Sequence, residues 1–235
     1  MLNTLIRPAA KLLLATALSV SAVTASAVEL QPYQARYSLD WASGVSFSGD
    51  AVRSLRREGD NWLLETNASA MFASLAESSR FSLSPHIQPQ QYNFKRKVLG
   101  KKRKAQLDFD WQQQQVTNNV NNEPWTMAIA PGVLDKLSVQ LQLRLDLKSG
   151  KTRFEYQVAD GGKLKAYRFK VDGNESITTP AGTFDAVKVS RDRGSDSKRK
   201  TWIWFAPALD YMIVKIHQIE KSNKEYKLVL KEVAQ

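Results

Sequence analysis

Two histidines, the absence of cysteine and one closely spaced pair of aspartates set the chemistry this chain can offer. A thiol nucleophile is excluded. His86 stands in a proline-bracketed stretch, Ser-Pro-His-Ile-Gln-Pro, and His217 alternates with Lys215 and Ile219 on an expected strand. Neither has the spacing to a second histidine that a zinc site requires, so each is expected to be a lone surface histidine. Asp108 and Asp110 fall on one strand face, where paired carboxylates can do acid–base work. Beside four lysines, they are expected to neutralise charge instead. Gly150-Lys151-Thr152 lacks the upstream glycine of a phosphate loop, and no Gly-x-Ser-x-Gly elbow occurs. The residues therefore point away from an enzyme and from any metal or cofactor, and a hydrolase ranks third among the readings.

What the chain does offer is positive charge. Lys95 to Lys104 places seven basic side chains in ten residues with no acid among them. A second cluster, Arg191, Arg193, Lys198, Arg199 and Lys200, is offset only by Asp192 and Asp196. The formal net charge is +11. Nucleic acid is the obvious partner for such charge, but no base-stacking aromatics interleave with the lysines, and the start of the chain argues for export. There, Arg7 and Lys11 precede an apolar stretch from Leu12 to Val23 and a small-residue site at Ala25-Ser26-Ala27. This is the layout of a secretory leader. The stretch is shorter than the roughly 20 residues of a membrane span. Cleavage after Ala27 would remove two basic residues and no acid, leaving 208 residues at +9. A single domain of residues 28–235 in the periplasm of a Gram-negative envelope is expected. Its fold would rest on packing alone, because the chain has no cysteine for a disulfide. The partners that fit are phospholipid head groups, lipopolysaccharide phosphates or an acidic envelope protein, through peripheral rather than integral membrane contact.

These charges need elements to hold them. The dominant pattern is period-two alternation, the mark of half-buried strands. Tyr33, Ala35, Tyr37, Leu39 and Trp41 share one side, as do Val45, Phe47, Gly49, Ala51, Arg53 and Leu55. Turn clusters recur at 58–61, 148–151, 160–163, 172–174, 193–197 and 221–225. Strands interrupted so regularly imply an antiparallel meander, of roughly twelve strands. One segment differs. Between Pro131 and Gly150, Leu134, Leu137, Leu141 and Leu145 follow helical spacing, which predicts a long helix over 132–147. Leu141 to Leu147 also alternates, so a strand competes there. Residues 112–124 read as a polar loop around a short strand.

The basic run falls on a hairpin whose two-residue turn is Leu99-Gly100. Tyr92 and Phe94 on one arm, with Phe109 and Trp111 on the other, should form an apolar face. Lys95, Lys97, Lys102 and Lys104 should point outward at the tip, where lysines commonly keep an edge from pairing with another chain. Arg193, Lys198, Arg199 and Lys200 occupy a second tip, and Trp202 and Trp204 are expected to pack at core and rim, with a pair facing a cavity, lining an apolar ligand site, as the alternative. If the two tips share one end of the sheet, they make one positive rim.

Four blocks in order resemble an exported family, domain of unknown function 3108, over about residues 30–233. They are GVLDKLSVQLQLRLDL, YQVADGGKLKAYRF, TPAGTFDAVKVSRDR and KRKTWIWFAPALDYMIVKIHQIE. The resemblance supplies no activity. Met212-Ile213 stands where a Leu-Pro step is expected, which puts a proline kink in that strand in doubt. A fainter likeness over the C-terminal third is to periplasmic lipoprotein-carrier folds, in which a curved sheet wraps a helix and holds acyl chains. The expected fold is mainly β, a strongly curved, barrel-like antiparallel sheet around one helix. The first functional expectation is a binding or chaperone-like protein with an acyl chain or hydrophobic peptide on its concave face. The competing one is an assembly factor that binds another protein through the basic rim, with no internal ligand.

Overall fold

A computed structural model of the chain describes residues 30–234 apart from 44, 85, 121, 222 and 223. The expected leader and part of the turn at 221–225 lie outside the described residues. The described residues form fourteen strands and one α-helix. The strands are β1 (Tyr33–Ser43), β2 (Val45–Glu58), β3 (Asn61–Ala70), β4 (Ala73–Leu83), β5 (Ile87–Val98), β6 (Lys101–Asp110), β7 (Gln115–Val120) and β8 (Glu123–Ala128). After α1 (Ser138–Leu147) come β9 (Arg153–Ala159), β10 (Leu164–Thr179), β11 (Gly182–Asp192), β12 (Lys200–Ala206), β13 (Met212–Ile219) and β14 (Glu225–Ala234).

All strands join one antiparallel sheet in the order β8-β7-β6-β5-β4-β3-β2-β1-β14-β13-β12-β11-β10-β9. Strands that follow one another in sequence pair, apart from β8 and β9, and β1 also pairs with β14. The sheet is not closed: β8 and β9 are its edges, and the 129–137 segment lies between them. Ile129 N–H donates to Gln114 O at 2.8 Å, and Leu134 bridges Val158 in parallel. Chain thus covers edges that would otherwise be open to pairing. Every odd strand turns back into the even strand after it, so all those hairpin turns gather at one end. The even-to-odd turns and α1 occupy the other.

The alternation expected for β1 and β2 is seen, with Ala35, Tyr37, Ala51 and Leu55 all at most 1 % exposed. Three expectations are corrected. The helix begins at Ser138 rather than 132, because Leu134 is drawn into the bridge to β9 and Asp135 caps the helix start. Its leucines satisfied both helical and alternating patterns because the helix is wrapped by the sheet and buried almost all round: Leu141, Leu143 and Leu147 are core residues alike. The turn expected at 172–174 is instead a bulge inside the long β10, where the register shifts between Val171 and Gly173. Residues 112–124 hold a turn and then the paired strands β7 and β8 rather than a loop around one strand. The strand after Tyr211 runs unbroken from Met212 to Ile219.

Candidate functional site at the open end

The two ends of the sheet differ in what fills them. At the helix end, α1 runs from the middle of the barrel outward. Arg53, on the core face of β2, donates to Gln140 Oε1 at 2.8 Å. Arg144 is 5 % exposed, pairs with Asp210 at 2.9 Å and lies over the Tyr33 ring. The enclosed space beside α1, between Tyr33, Tyr37 and Leu141, is about 10 Å³, room for at most one water. At the start of α1, fully buried Asp135 accepts from Ser79 Oγ at 2.5 Å and from the N–H groups of Leu137 and Ser138 at 2.8 Å. Burial pushes its carboxyl up to about 6 against the pull of those bonds. Next to it, Tyr92 donates to Glu77, and burial raises the phenol well above its ordinary range. These groups cap the helix and satisfy one another, which is structural work.

The opposite end is open and basic. Leu99 and Gly100 have φ of 47° and 80°, the paired positive values of a two-residue hairpin turn. Register then sets Lys95 opposite Lys104 and Lys97 opposite Lys102 on one face, and Tyr92 opposite Leu107 on the core face. The four lysines therefore point outward, as expected. They wall an open trough of about 560 Å³ on the outer surface. Small residues of β3 and β4 (Asn67, Ser69, Ser74 and Ala76), with Val52, form its floor, and Asp50, which is paired with Lys231, also lines it. Among the described residues, none of the seven basic side chains from 95 to 104 forms an ion pair. Asp108 and Asp110 do not neutralise them. Asp108 accepts from Gln91 and Gln106, each at 2.8 Å, and Asp110 from the Gln113 N–H.

The second basic tip lies at the same end, but β4, β3, β2, β1, β14 and β13 stand between it and the first. Lys198 and Lys200 are exposed, and Arg199 pairs with Glu220. Arg193 departs from the expected rim: it turns inward and donates to Thr201 Oγ1 at 3.1 Å. Burial, with Arg191 and Arg199 adding to it, pulls its guanidinium down to about 10, so it stays charged at neutral pH. Arg191 lies 3.2 Å from the centre of the Tyr167 ring.

The aromatics expected as an apolar face divide. Tyr92 is 2 % exposed, and Phe94, Phe109 and Trp111 pack against the core. Phe109 and Trp111 stack at 5.8 Å, and Trp111 Nε1 donates to Pro89 O. Trp202 and Trp204 are packed rather than set around a cavity: Trp204 is 4 % exposed and Trp202 is half-buried against the core cluster. They alternate with Ile203, which is the core-facing residue, and so stand on the outer face. There Trp204 is covered by Lys188 and Lys215 and bonds Glu175, while Trp202 packs on His217. His217 pairs with Glu225, His86 is exposed, and no cluster of metal-ligating residues occurs among the described residues.

Sequence reasoning missed an aromatic ladder on the core side of the open end. Tyr226 stacks on Trp41 at 5.7 Å, Trp41 meets Phe47 at 5.9 Å, and Phe47 meets Phe72 edge-on at 6.4 Å. Alternation placed Trp41 and Phe47 on core faces. Only the pairing of β1 with β14 brings Tyr226 beside them.

Similar proteins carry names of fold or family rather than of activity. The solved structure of a β-barrel-like protein of the DUF1849 family from Brucella abortus superposes with a TM-score of 0.60 at 9 % identity, covering 88 % of this chain and 99 % of that one. A Bacteroides fragilis protein described as exported, with a YmcC-like fold, gives 0.31 at 11 % identity, covering 86 % and 95 %. A Parabacteroides distasonis structure described as a lipoprotein gives 0.31 at 15 %, covering 87 % and 96 %. The first likeness supports a barrel-like fold and no more. No curated protein matches the chain. A family model covers residues 36–231, and the chain belongs to that family, described as protein of unknown function (DUF3108).

Proposed function

We propose that the chain is a non-catalytic binding protein of the bacterial envelope, exported to the periplasm, which meets an anionic partner with the open end of its barrel. The observation that carries this reading is the unneutralised charge of residues 95–104. Lysine faces lysine across β5 and β6 at two successive outward positions, and between them, on the opposite face, arginine faces arginine. Like charges set directly opposite destabilise a sheet, and elsewhere the same chain sets several surface cations against acids: Arg56 with Glu65, Arg168 with Glu155, Lys231 with Asp50. A cost retained at one site and avoided at others supports a role in attraction.

The aromatic ladder favours a second reading. An acyl chain or hydrophobic peptide would lie along Tyr226, Trp41, Phe47 and Phe72 at the mouth, because α1 and the core occupy the space below. Site-specific photo-cross-linking in intact cells tests the proposal. Probes at Lys97 and Leu99 are expected to capture envelope components, and probes at Asp60 and Gln113, at the helix end, to remain bare. Equal capture from both ends would sink it.

A further inference from the structure

The open end carries a second kind of exposure. The exposed large hydrophobic residues among those described are Met71, Phe72, Leu99, Trp125 and Leu164, and all five lie at this end. Met71 and Phe72 form the β3–β4 turn at 79 % and 56 % exposure, and Leu99 leads the β5–β6 turn at 71 %. The two turns are tied together, since Leu99 N–H donates to Phe72 O at 3.0 Å. Phe72 is braced edge-on by Phe47. The three side chains thus make one supported apolar point.

We infer that this point inserts into an anionic lipid bilayer, with the surrounding cations at head-group level. The inference rests on the open end being the binding end, as proposed above, and adds the identity of the surface. Charge complementarity selects the occupant. Neither turn nor the strand ends behind it, residues 67–76 and 93–107, contains an acid. Lys97 and Lys102 stand two residues behind the Leu99-Gly100 turn and Lys95 and Lys104 four behind, roughly 7 and 13 Å at the rise of a strand. Apolar faces of interfacial segments sink about 5–10 Å, which leaves these ammonium groups among the phosphates. Shape agrees. The apolar residues sit on turn tips that protrude, and a protruding point suits a medium that yields around it. A protein partner would need a ready-made pocket there.

The test uses the purified protein and vesicles of phosphatidylethanolamine with phosphatidylglycerol, against neutral phosphatidylcholine vesicles. Two variants separate insertion from attraction. Met71→Ser with Leu99→Asn removes two of the three apolar tip residues while creating Asn-Gly, the pair a turn of this type prefers, so folding is preserved. Replacing Lys95, Lys97, Lys102 and Lys104 by Gln removes charge behind it. Co-sedimentation is expected to show binding to anionic vesicles only, about tenfold weaker for each variant, with salt sensitivity much reduced in the lysine variant alone. In a Phe72→Trp variant, lipids brominated along the acyl chain are expected to quench the new indole. Undiminished binding by the Met71/Leu99 variant, or an unquenched indole, overturns insertion. Absence of vesicle binding, with open-end cross-links running to a protein, overturns the lipid assignment and leaves the basic binding end standing.

Discussion

Around α1, charged groups are paired and apolar groups hidden; around Leu99, charge is left unpaired and apolar groups stand exposed. Arg144 at the helix end is buried and answered by Asp210, while Arg96 and Arg103 at the open end face each other in solvent. Leu143 is wholly buried, whereas Leu99 is 71 % exposed. One continuous sheet supplies both environments, and no strand takes more than 16 residues to cross from one to the other. The helix end carries the stability that permits the open end to carry charge and apolar tips at a cost.

The largest expected contrast is in packing. Leu143→Ala should lose about 2–5 kcal/mol in denaturant unfolding, because its methyls leave a cavity that the enclosing sheet cannot close. Leu99→Asn should leave stability unchanged or slightly higher in the same assay. Comparable losses would erase the division between the ends.

A pH titration of stability sharpens the contrast. The carboxyl of Asp135 is raised by burial from 3.8 to about 6. Its contribution is therefore fully present below the unfolded value and is lost as pH rises through the folded one, by at most about 3 kcal/mol. Asp135→Asn keeps an acceptor for the two N–H groups and should flatten that stretch of the curve. An unchanged slope would remove Asp135 as its source. Gly100→Ala, at φ of 80°, should cost about 1 kcal/mol by opposing the turn at the basic tip. The smallest effect is electrostatic. Replacing the four outward lysines by Gln should raise stability at low salt by a few tenths of a kcal/mol for each opposed pair. Added salt should bring the wild type to the same value.

The hairpin and its outward lysines were legible because a two-residue turn with strict alternation on both arms fixes register. So were the core faces of β1 and β2, including inward Arg53. The start of α1 was not, because Leu134 fits a helix period and a strand bridge equally well, and only the position of β9 decides between them. Asp172-Gly173-Asn174 reads as a turn, since a positive φ at glycine serves a bulge as well as a hairpin. That Trp202 and Trp204 pack was legible, but not what covers them. Aromatics on an alternating strand look the same whether core residues or lysine stems cover them, as Lys188 and Lys215 cover Trp204. The apolar point was not legible because Met71 and Phe72 lie far from Leu99 in sequence, and only the pairing of β4 with β5 joins their turns.

The most direct test is a matched removal of charge. One variant exchanges Lys95, Lys97, Lys102 and Lys104 for Gln; the other exchanges Arg36, Arg57, Lys151 and Arg153, exposed residues outside the open end, for Gln. Both lose the same charge, and each is assayed for retention on isolated envelope fragments at low and moderate salt. The first should lose retention and most of its salt dependence, while the second behaves as wild type. Equal loss in the two would mean that net charge alone is at work, and that the open end is not the binding end.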